Sequence, residues 1–232
     1  MSEEKKKPKS GGGCFSKLLM LVLLAAMGGL GTAVFFVTQP QDLTDLGGYG
    51  PAVKATPVRD MKAVLQNAID RGYPVTLSEA EINQWLGETL VTNQGGLLGE
   101  QFKLEHFWIR LEQGRAELIM ERSLFGNPLT VSMYFKVEKE ESGREIITSF
   151  NPSGGPFVEG QEFPQKGGRL GQLVVPQGFL HLVLPAYKKV AELFKPEIEL
   201  AFDRMHRITF ENDRIVLDPR DTLGSQGMPQ TF

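Results

Sequence analysis

The sequence predicts an α+β protein, with one N-terminal transmembrane helix followed by a domain in which a curved antiparallel sheet packs on two to four helices. Residues 18–37 form an apolar run without a charge, and Thr32 is its only side chain with a strong hydrogen-bonding group. Beyond this run, apolar residues recur every three or four positions in some segments and at every second position in others. These are the periods of amphipathic helices and of half-buried strands.

The apolar run has the length of a membrane span. Its 20 residues extend about 30 Å as a helix, which is the thickness of the hydrocarbon core of a bilayer. The basic residues before it are Lys5, Lys6, Lys7, Lys9 and Lys17, against only two glutamates. Because lysine stays on the cytoplasmic side, we expect residues 1–17 to be a cytoplasmic tail and the chain after residue 37 to lie outside the cytoplasm. The expected location is the cytoplasmic (inner) membrane.

A cleaved signal peptide is the alternative interpretation of the same segment. Gly31, Thr32 and Ala33 resemble a small-residue cleavage site. Residues 34–37 continue the apolar run past that site, which a cleaved peptide would not need. Lipoprotein processing does not fit, because Cys14 precedes the run instead of following it. An uncleaved signal-anchor is therefore favoured.

Composition restricts the class of the remaining chain. The 232 residues include 25 Lys and Arg and 28 Asp and Glu, of which five basic and two acidic residues precede the span, so the rest carries a net charge of about −6. An acidic domain does not favour nucleic acid as a partner. Cys14 is the only cysteine, so the domain must be held by packing without disulfides. This is more natural for a bacterial envelope protein than for a secreted disulfide scaffold.

The first part of the chain after the span is predicted to be a linker followed by two helices. Residues 38–57 are rich in Gly, Pro and polar side chains and are expected to be a tether or a loosely packed approach to the domain. Residues 58–71 have the amphipathic period of a helix that stops at Gly72. Ser78 and Glu81 form a capping box for the second helix. Its predicted buried stripe is Ile82, Trp85, Leu86 and Leu90.

A change of period from about 3.6 to 2 then predicts strands. Residues 129–138 alternate apolar and polar side chains most regularly, and residues 116–124 and 146–150 repeat the pattern. Residues 102–111 carry apolar side chains on both faces, so this strand is either covered on both sides or bulged near His106. The short turns between these segments predict an antiparallel meander.

The last third begins with a predicted long loop over residues 151–168. Residues 170–175 are expected to form a strand. Residues 176–195 follow as a helix with a broad apolar stripe, kinked or restarted at Pro185. Residues 196–205 fit either a helix or a strand, and a helix is favoured.

A hairpin over residues 206–217 is expected to close the domain. The predicted domain therefore spans residues 58–218, which is enough chain for one real core. Residues 219–232 are expected to be a flexible tail.

The sequence carries no motif specific for catalysis. It lacks a nucleophile elbow, a phosphate-binding glycine loop, a dinucleotide fingerprint and a His-Glu-x-x-His motif. Ser153 lies beside two glycines, but Asn151 stands where an elbow would need its first glycine. Glu199, Asp203 and His206 would share a helix face able to hold a metal, although a solvated helix end is the favoured interpretation. No catalytic residue, metal or cofactor is predicted, and the protein is not expected to be an enzyme.

Two local motifs and the order of elements resemble a known family. The motifs are the helix cap at residues 78–83 and the turn at residues 171–176. With the order of anchor, helix, meander, helix and hairpin, residues 74–217 resemble YpmS-like bacterial single-pass envelope proteins, whose role is not established, and more distantly tubular lipid-binding domains. This resemblance implies a curved sheet wrapped around a long helix, with an apolar groove able to hold an acyl chain. The helix at residues 58–71 is an addition to that pattern.

The favoured function is binding of a lipid or another apolar ligand in the cell envelope. The helix over residues 176–195 is apolar around more of its circumference than one sheet face needs, so it is expected to line an apolar cavity, with a helix wholly packed in the core as the alternative. Candidate lining residues are Phe179, Val183, Tyr187, Val190, Phe194, Val131, Met133 and Phe135. A scaffold or assembly protein of the envelope is a nearly equal alternative, and an enzyme is third. The expected partners are the membrane, a lipid ligand and an envelope protein, and no nucleic acid.

Overall fold

The computed structural model of this chain describes residues 13–50, 59–93, 103–124, 127–142, 145–152 and 166–220. The helices are α1 (Gly13–Thr38), α2 (Met61–Arg71), α3 (Glu79–Asn93), α4 (Leu180–Leu193) and α5 (Lys195–Ile198), which continues into a π-helical turn (Glu199–Asp203). The strands are β1 (Val75–Ser78), β2 (Lys103–Glu112), β3 (Arg115–Leu124), β4 (Asn127–Ser142), β5 (Glu145–Pro152), β6 (Lys166–Leu170), β7 (Leu173–Pro176), β8 (Arg207–Glu211) and β9 (Arg214–Asp218). The predicted α+β class is confirmed.

α1 is a long apolar helix near the N-terminus. Its segment Phe15–Thr38 has 24 residues and a mean hydropathy of 2.3, and is long and apolar enough to cross a membrane. In the described part of the chain, none of the most apolar stretch of α1 is buried. These side chains therefore require another apolar environment. The apolar helix predicted over residues 18–37 is confirmed.

Side-chain caps fix the ends of the next two helices. At the start of α2, the Asp60 carboxylate accepts the Ala63 N–H at 3.1 Å, and Gly72 ends the helix with a positive φ of 63°. At the start of α3, the Ser78 hydroxyl accepts the Glu81 N–H at 3.2 Å, while the Glu81 carboxylate accepts the Ser78 N–H at 3.0 Å. This is the predicted capping box, and the interaction satisfies N–H groups that a helix start leaves unpaired.

Among the described residues, nine strands form two antiparallel sheets, which corrects the prediction of a single curved sheet. A six-stranded sheet has the order β2-β3-β4-β6-β7, with β5 also paired to β4. A three-stranded sheet has the order β1-β9-β8. β1 was not predicted from the sequence, and its Val75 pairs with Leu217, far along the chain. The predicted meander is confirmed as β2 to β5, and the closing hairpin as β8 and β9.

β2 is both bulged near His106 and covered on both faces, which were the two alternatives predicted for it. The pairing with β3 shifts between Leu104 and His106, which marks a bulge. Both faces of the strand are also covered, because Phe107 belongs to a core cluster on the helix side and Trp108 to a cluster on the opposite side.

The predicted strand at residues 170–175 is wrong in detail, because a turn divides it. Gly171 lies in this turn with φ at +57°, and β6 and β7 pair as a hairpin on either side of it.

A short 3-10 turn (Gln177–Phe179) precedes α4, so the helix begins four residues later than predicted. Pro185 lies inside α4 without ending it. The helix favoured for residues 196–205 is confirmed by α5 and the π-helical turn.

Residues 39–50 form a segment that packs across the six-stranded sheet, and we call this segment the strap. Leu43 and Leu46 are 3 % and 4 % exposed and form a cluster with Trp108 and Ile119. The Gln41 N–H donates to the Thr130 hydroxyl at 2.9 Å. The prediction of a tether or a loosely packed approach is therefore corrected for these residues. Residues 51–58 of the predicted linker lie outside the described part of the chain, as do 153–165 of the predicted loop and 221–232 of the predicted tail.

The end of α1 is also built into the domain. The Gln172 N–H, in the β6–β7 turn, donates to the Phe36 carbonyl at 2.9 Å. Gly171 lies so close to this helix end that a Cβ atom there would come within 2.6 Å of the carbonyl oxygens of Phe36, Val37 and Gln39. The last turn of α1, the strap and the β6–β7 turn therefore form one joint.

Candidate functional site: an apolar cavity

A cavity of about 510 Å³ lies between the helices and the two sheets. It is located where the two largest core clusters meet, one around Leu65 and Leu217 and the other around Leu90 and Tyr187. Side chains from α2 to α5 and the π-helical turn line it on one side, and side chains from both sheets line it on the other. Its aromatic lining residues are Trp85, Phe107, Phe135, Phe150, Tyr187, Phe194, Phe202 and Phe210.

The structure brings five of the eight predicted lining residues together at this cavity. They are Tyr187, Val190 and Phe194 of α4 and Met133 and Phe135 of β4. The other three do not line it. Phe179 precedes α4 and is 51 % exposed, Val183 is partly buried against the neighbouring core cluster, and Val131 is buried outside the cavity. Whether any of the eight binds a ligand stays a prediction.

Tyr187 fixes the helical wall of the cavity to its sheet wall. Its side chain is 4 % exposed, and its hydroxyl lies 3.0 Å from the Leu118 carbonyl and 2.9 Å from the Val131 carbonyl. Burial raises the pKa of this phenol well above its ordinary value, so it remains neutral and donates to these carbonyls. An aromatic side chain with a satisfied hydroxyl can be buried without the cost of an unpaired polar group. The contact places α4 across β3 and β4.

The interior of the cavity is uncharged. Lys188 and Glu197 are its two charged lining residues, and the remaining lining side chains are aliphatic or aromatic. Lys188 is exposed and Glu197 is half-buried. Two further lining residues, Phe150 and Ala191, are also exposed. We therefore place the opening of the cavity at these exposed side chains.

Several lining residues were not assigned to the cavity from the sequence. Met61 and Leu65 come from α2, Ile82 and Trp85 from α3, and Phe150 from β5. The helical period had shown which of the α2 and α3 residues face inward. It carries no information on whether an inward face meets other side chains or a cavity.

A polar cluster supports the site from the free edge of β2. The Asn83 side chain donates to the carbonyls of Gly47 and Ile109, both at 2.8 Å, and accepts the Ile109 N–H at 2.7 Å. The Glu79 carboxylate accepts the N–H groups of Gly47 at 2.7 Å and Leu111 at 2.6 Å. Burial raises the pKa of Glu79, and the two N–H groups act in the opposite direction. These contacts join α3, the strap and β2, and they satisfy backbone groups that an edge strand leaves unpaired.

A second buried polar cluster lies on the face of the six-stranded sheet that is opposite the cavity. The Glu117 side chain is fully buried, 2.7 Å from Arg110 and 3.5 Å from Arg169, and accepts the Ser132 hydroxyl at 2.5 Å. Arg169 also donates to the Tyr134 hydroxyl at 2.7 Å. The strap covers this face, so the cluster is a structural ion-pair network rather than an open binding site.

The residues that were considered for a metal do not form a site. Within the described ranges, no group of three or more His, Cys, Asp and Glu side chains is arranged to hold a metal ion. Glu199 and Asp203 belong to the π-helical turn, and His206 lies after it. The expectation that the protein needs no metal or cofactor stays a prediction.

The described residues form an α+β domain with an apolar cavity, joined to an apolar N-terminal helix. No family model matches the chain, and no curated protein matches it.

Proposed function

We propose that the protein is a membrane-anchored, extracytoplasmic and non-enzymatic module that binds a lipid or another apolar ligand in the cavity. The observation that carries the proposal is a cavity of about 510 Å³ whose interior is aliphatic and aromatic. Small-molecule sites have volumes of about 300–1,000 Å³ and are lined mainly by apolar side chains. A charged or strongly polar ligand would lose its hydration there without gaining a partner.

The volume supports a bound ligand rather than a packing defect. Protein interiors contain few voids larger than a water molecule. The cavity opens to solvent, so its aliphatic and aromatic lining is accessible to water. An apolar ligand that fills it would remove this surface from water, which is favourable and stabilises the folded protein.

The proposed location follows from α1. Phe15–Thr38 is long and apolar enough to span a bilayer, and the five lysines that precede its apolar run at residues 18–37 favour a cytoplasmic N-terminus. We therefore propose that the domain lies outside the cytoplasm, on the inner membrane of a bacterial envelope.

Protease added to intact spheroplasts is expected to digest the domain, and the mature chain is expected to begin at or near Met1. A mature N-terminus at Val34 would instead identify a cleaved signal peptide.

A scaffold or assembly protein is the second candidate, and one observation favours it. Phe179 and Leu182, at the start of α4, are 51 % and 74 % exposed. Exposed apolar side chains close together are typical of protein–protein contacts. This surface lies outside the cavity lining, so variants of the cavity distinguish the two functions.

Filling the cavity is the direct test of ligand binding. Ala201 lines the cavity and is partly buried. We expect Ala201→Leu to exclude an apolar ligand and to change the stability of the ligand-free protein by less than about 1 kcal/mol, because the added carbons enter existing space. Bound ligand is measured by native mass spectrometry of the full-length protein released from detergent micelles, and stability by thermal unfolding after extensive detergent exchange.

Ala68→Leu is the matched control for this substitution. Ala68 is fully buried in α2 and does not line the cavity. Its enlargement should overpack the core at a cost of about 1–3 kcal/mol, or roughly 2–4 °C in Tm per kcal/mol. If Ala201→Leu destabilises as much as Ala68→Leu, and the wild-type protein carries no apolar molecule, the scaffold function is preferred.

A further inference from the structure

The two charged residues of the cavity lining differ in their position relative to the solvent. Lys188 is exposed, on the side of α4 that also carries Leu184 and the exposed Ala191, both of which line the cavity. A lysine in this position keeps its carbon chain against the apolar wall and its ammonium group in water. Glu197 is half-buried. The ammonium group of Lys188 is therefore the lining charge that is most accessible at the opening.

Lys188 is also available for an external partner. Within the described part of the chain, neither Lys188 nor Glu197 takes part in a salt bridge, although Lys195 and Glu199 pair nearby at 3.8 Å. Lys189, the next residue, is also exposed but does not line the cavity. An anionic group at the opening would therefore meet an uncompensated lysine next to an apolar interior.

We propose that the ligand is a single-chain amphiphile with an anionic head, whose chain fills the cavity and whose head contacts the Lys188 ammonium group at the opening. This inference rests on the proposed function and specifies its ligand class. The volume of about 510 Å³ lies within the range of small-molecule sites, about 300–1,000 Å³. Its aliphatic and aromatic interior suits a single hydrocarbon chain. The head remains in water, so its charge does not have to be desolvated.

The cavity contains its own reporter for this test. Trp85 lines the cavity and its ring lies 5.2 Å from that of Phe194. Trp108, the other tryptophan, belongs to the cluster under the strap. Brominated palmitate, hexadecanol and hexadecylamine, added to the full-length protein in phosphatidylcholine nanodiscs, should quench Trp85 when their chains enter the cavity. A Trp85→Phe variant measures the remaining quenching of Trp108, which is subtracted.

The decisive comparison is between Lys188→Ala and Lys189→Ala. Both remove one positive charge from an exposed position of α4, so both change the partitioning of the probes equally, but only Lys188 lines the cavity. We expect Lys188→Ala to raise the apparent Kd for the brominated acid about two- to fivefold, the range of an exposed charge pair. Its Kd for the alcohol should not change. Lys189→Ala should change neither value.

The outcomes separate this inference from the proposed function. If no probe quenches Trp85 in the wild-type protein, apolar binding in the cavity fails and the inference fails with it. If acid and alcohol both quench Trp85, and the two lysine variants behave alike, the cavity binds apolar chains but Lys188 does not recognise the head. Tighter binding of the amine than of the acid would also overturn an anionic head, and would assign the recognition to Glu197.

Discussion

Replacement of Glu117 by alanine is expected to lower the free energy of unfolding by about 3–5 kcal/mol, the usual effect of breaking a buried ion pair. The Glu117 carboxylate is fully buried between Arg110 at 2.7 Å and Arg169 at 3.5 Å, and it accepts the Ser132 hydroxyl. Its removal leaves the partly buried guanidinium of Arg110 with the exposed Asp45 as its ion-pair partner, beside a hydrogen bond to the Asp42 carbonyl. Chemical unfolding of the full-length protein in micelles measures the change.

Glu105→Ala is the control for this substitution. Glu105 is an exposed residue of the same sheet, on β2, and its replacement should change stability by no more than about 0.5 kcal/mol. Because the Glu117 network lies on the sheet face opposite the cavity, the folded fraction of Glu117→Ala should bind apolar probes as the wild type does. A loss of stability below about 1 kcal/mol would show that water replaces the carboxylate and that the network contributes little.

Gly171→Ala is expected to separate the strap from the domain and to destabilise the protein by several kcal/mol. The residue has a φ of +57°, and its new Cβ would lie within 2.6 Å of three backbone carbonyl oxygens at the end of α1 and the start of the strap. Backbone atoms cannot move aside as a flexible side chain can, so the joint itself must shift. Limited digestion with a protease that cleaves at aspartate should then cut at Asp42 and Asp45 in the strap faster than in the wild type.

Gly114→Ala separates the two contributions to this effect. Gly114 also has a positive φ, +75°, but a Cβ there meets no atom within 4 Å. It should therefore show only the cost of the left-handed conformation, about 1–2 kcal/mol. Equal destabilisation by the two substitutions, with the strap still protected, would mean that the close approach to α1 is not important for stability.

The elements with a local signal could be predicted from the sequence. The Ser78 and Glu81 cap, the alternation in β4 and the stripe of α4 are each determined by residues within a few positions of one another. β1 was missed because its four residues adjoin a strong helix-start signal and pair with a strand more than a hundred positions later. Pairing between strands so far apart in the sequence produces no local periodicity from which β1 could be predicted.

The strap and the polar clusters show a different limit. The Gly- and Pro-rich composition of residues 38–57 is that of a linker, yet Leu43 and Leu46 are buried in a cluster with Trp108 and Ile119 of the sheet. Asn83 and Glu79 look like surface residues of a helix in the sequence, yet they are 0 % and 2 % exposed. Their burial depends on backbone groups of Gly47, Ile109 and Leu111, whose positions only the tertiary structure defines.

The same limit explains the candidate site. The inward faces of α4 and β4 were predicted, and five of eight chosen residues line the cavity. All eight were chosen by periodicity, and three of them do not line the cavity. Phe179 precedes the helix that was expected to include it, and Val131 lies on the correct strand but beyond the end of the cavity. Periodicity identifies a face, whereas the length of a cavity along that face depends on the packing of several elements.

The joint at the end of α1 determines how far the domain can travel. If the 20 residues 38–57 formed a flexible tether, the distance between the helix end and the domain would vary over about 25 Å. The strap and the Phe36–Gln172 hydrogen bond instead hold the domain against the helix end. With α1 in a bilayer, as proposed, the domain keeps one distance from the membrane surface and one orientation. A ligand must therefore diffuse to the cavity, because the domain cannot move toward the ligand. A tilt or rotation of α1 within the lipid would move the whole domain with it as one rigid body.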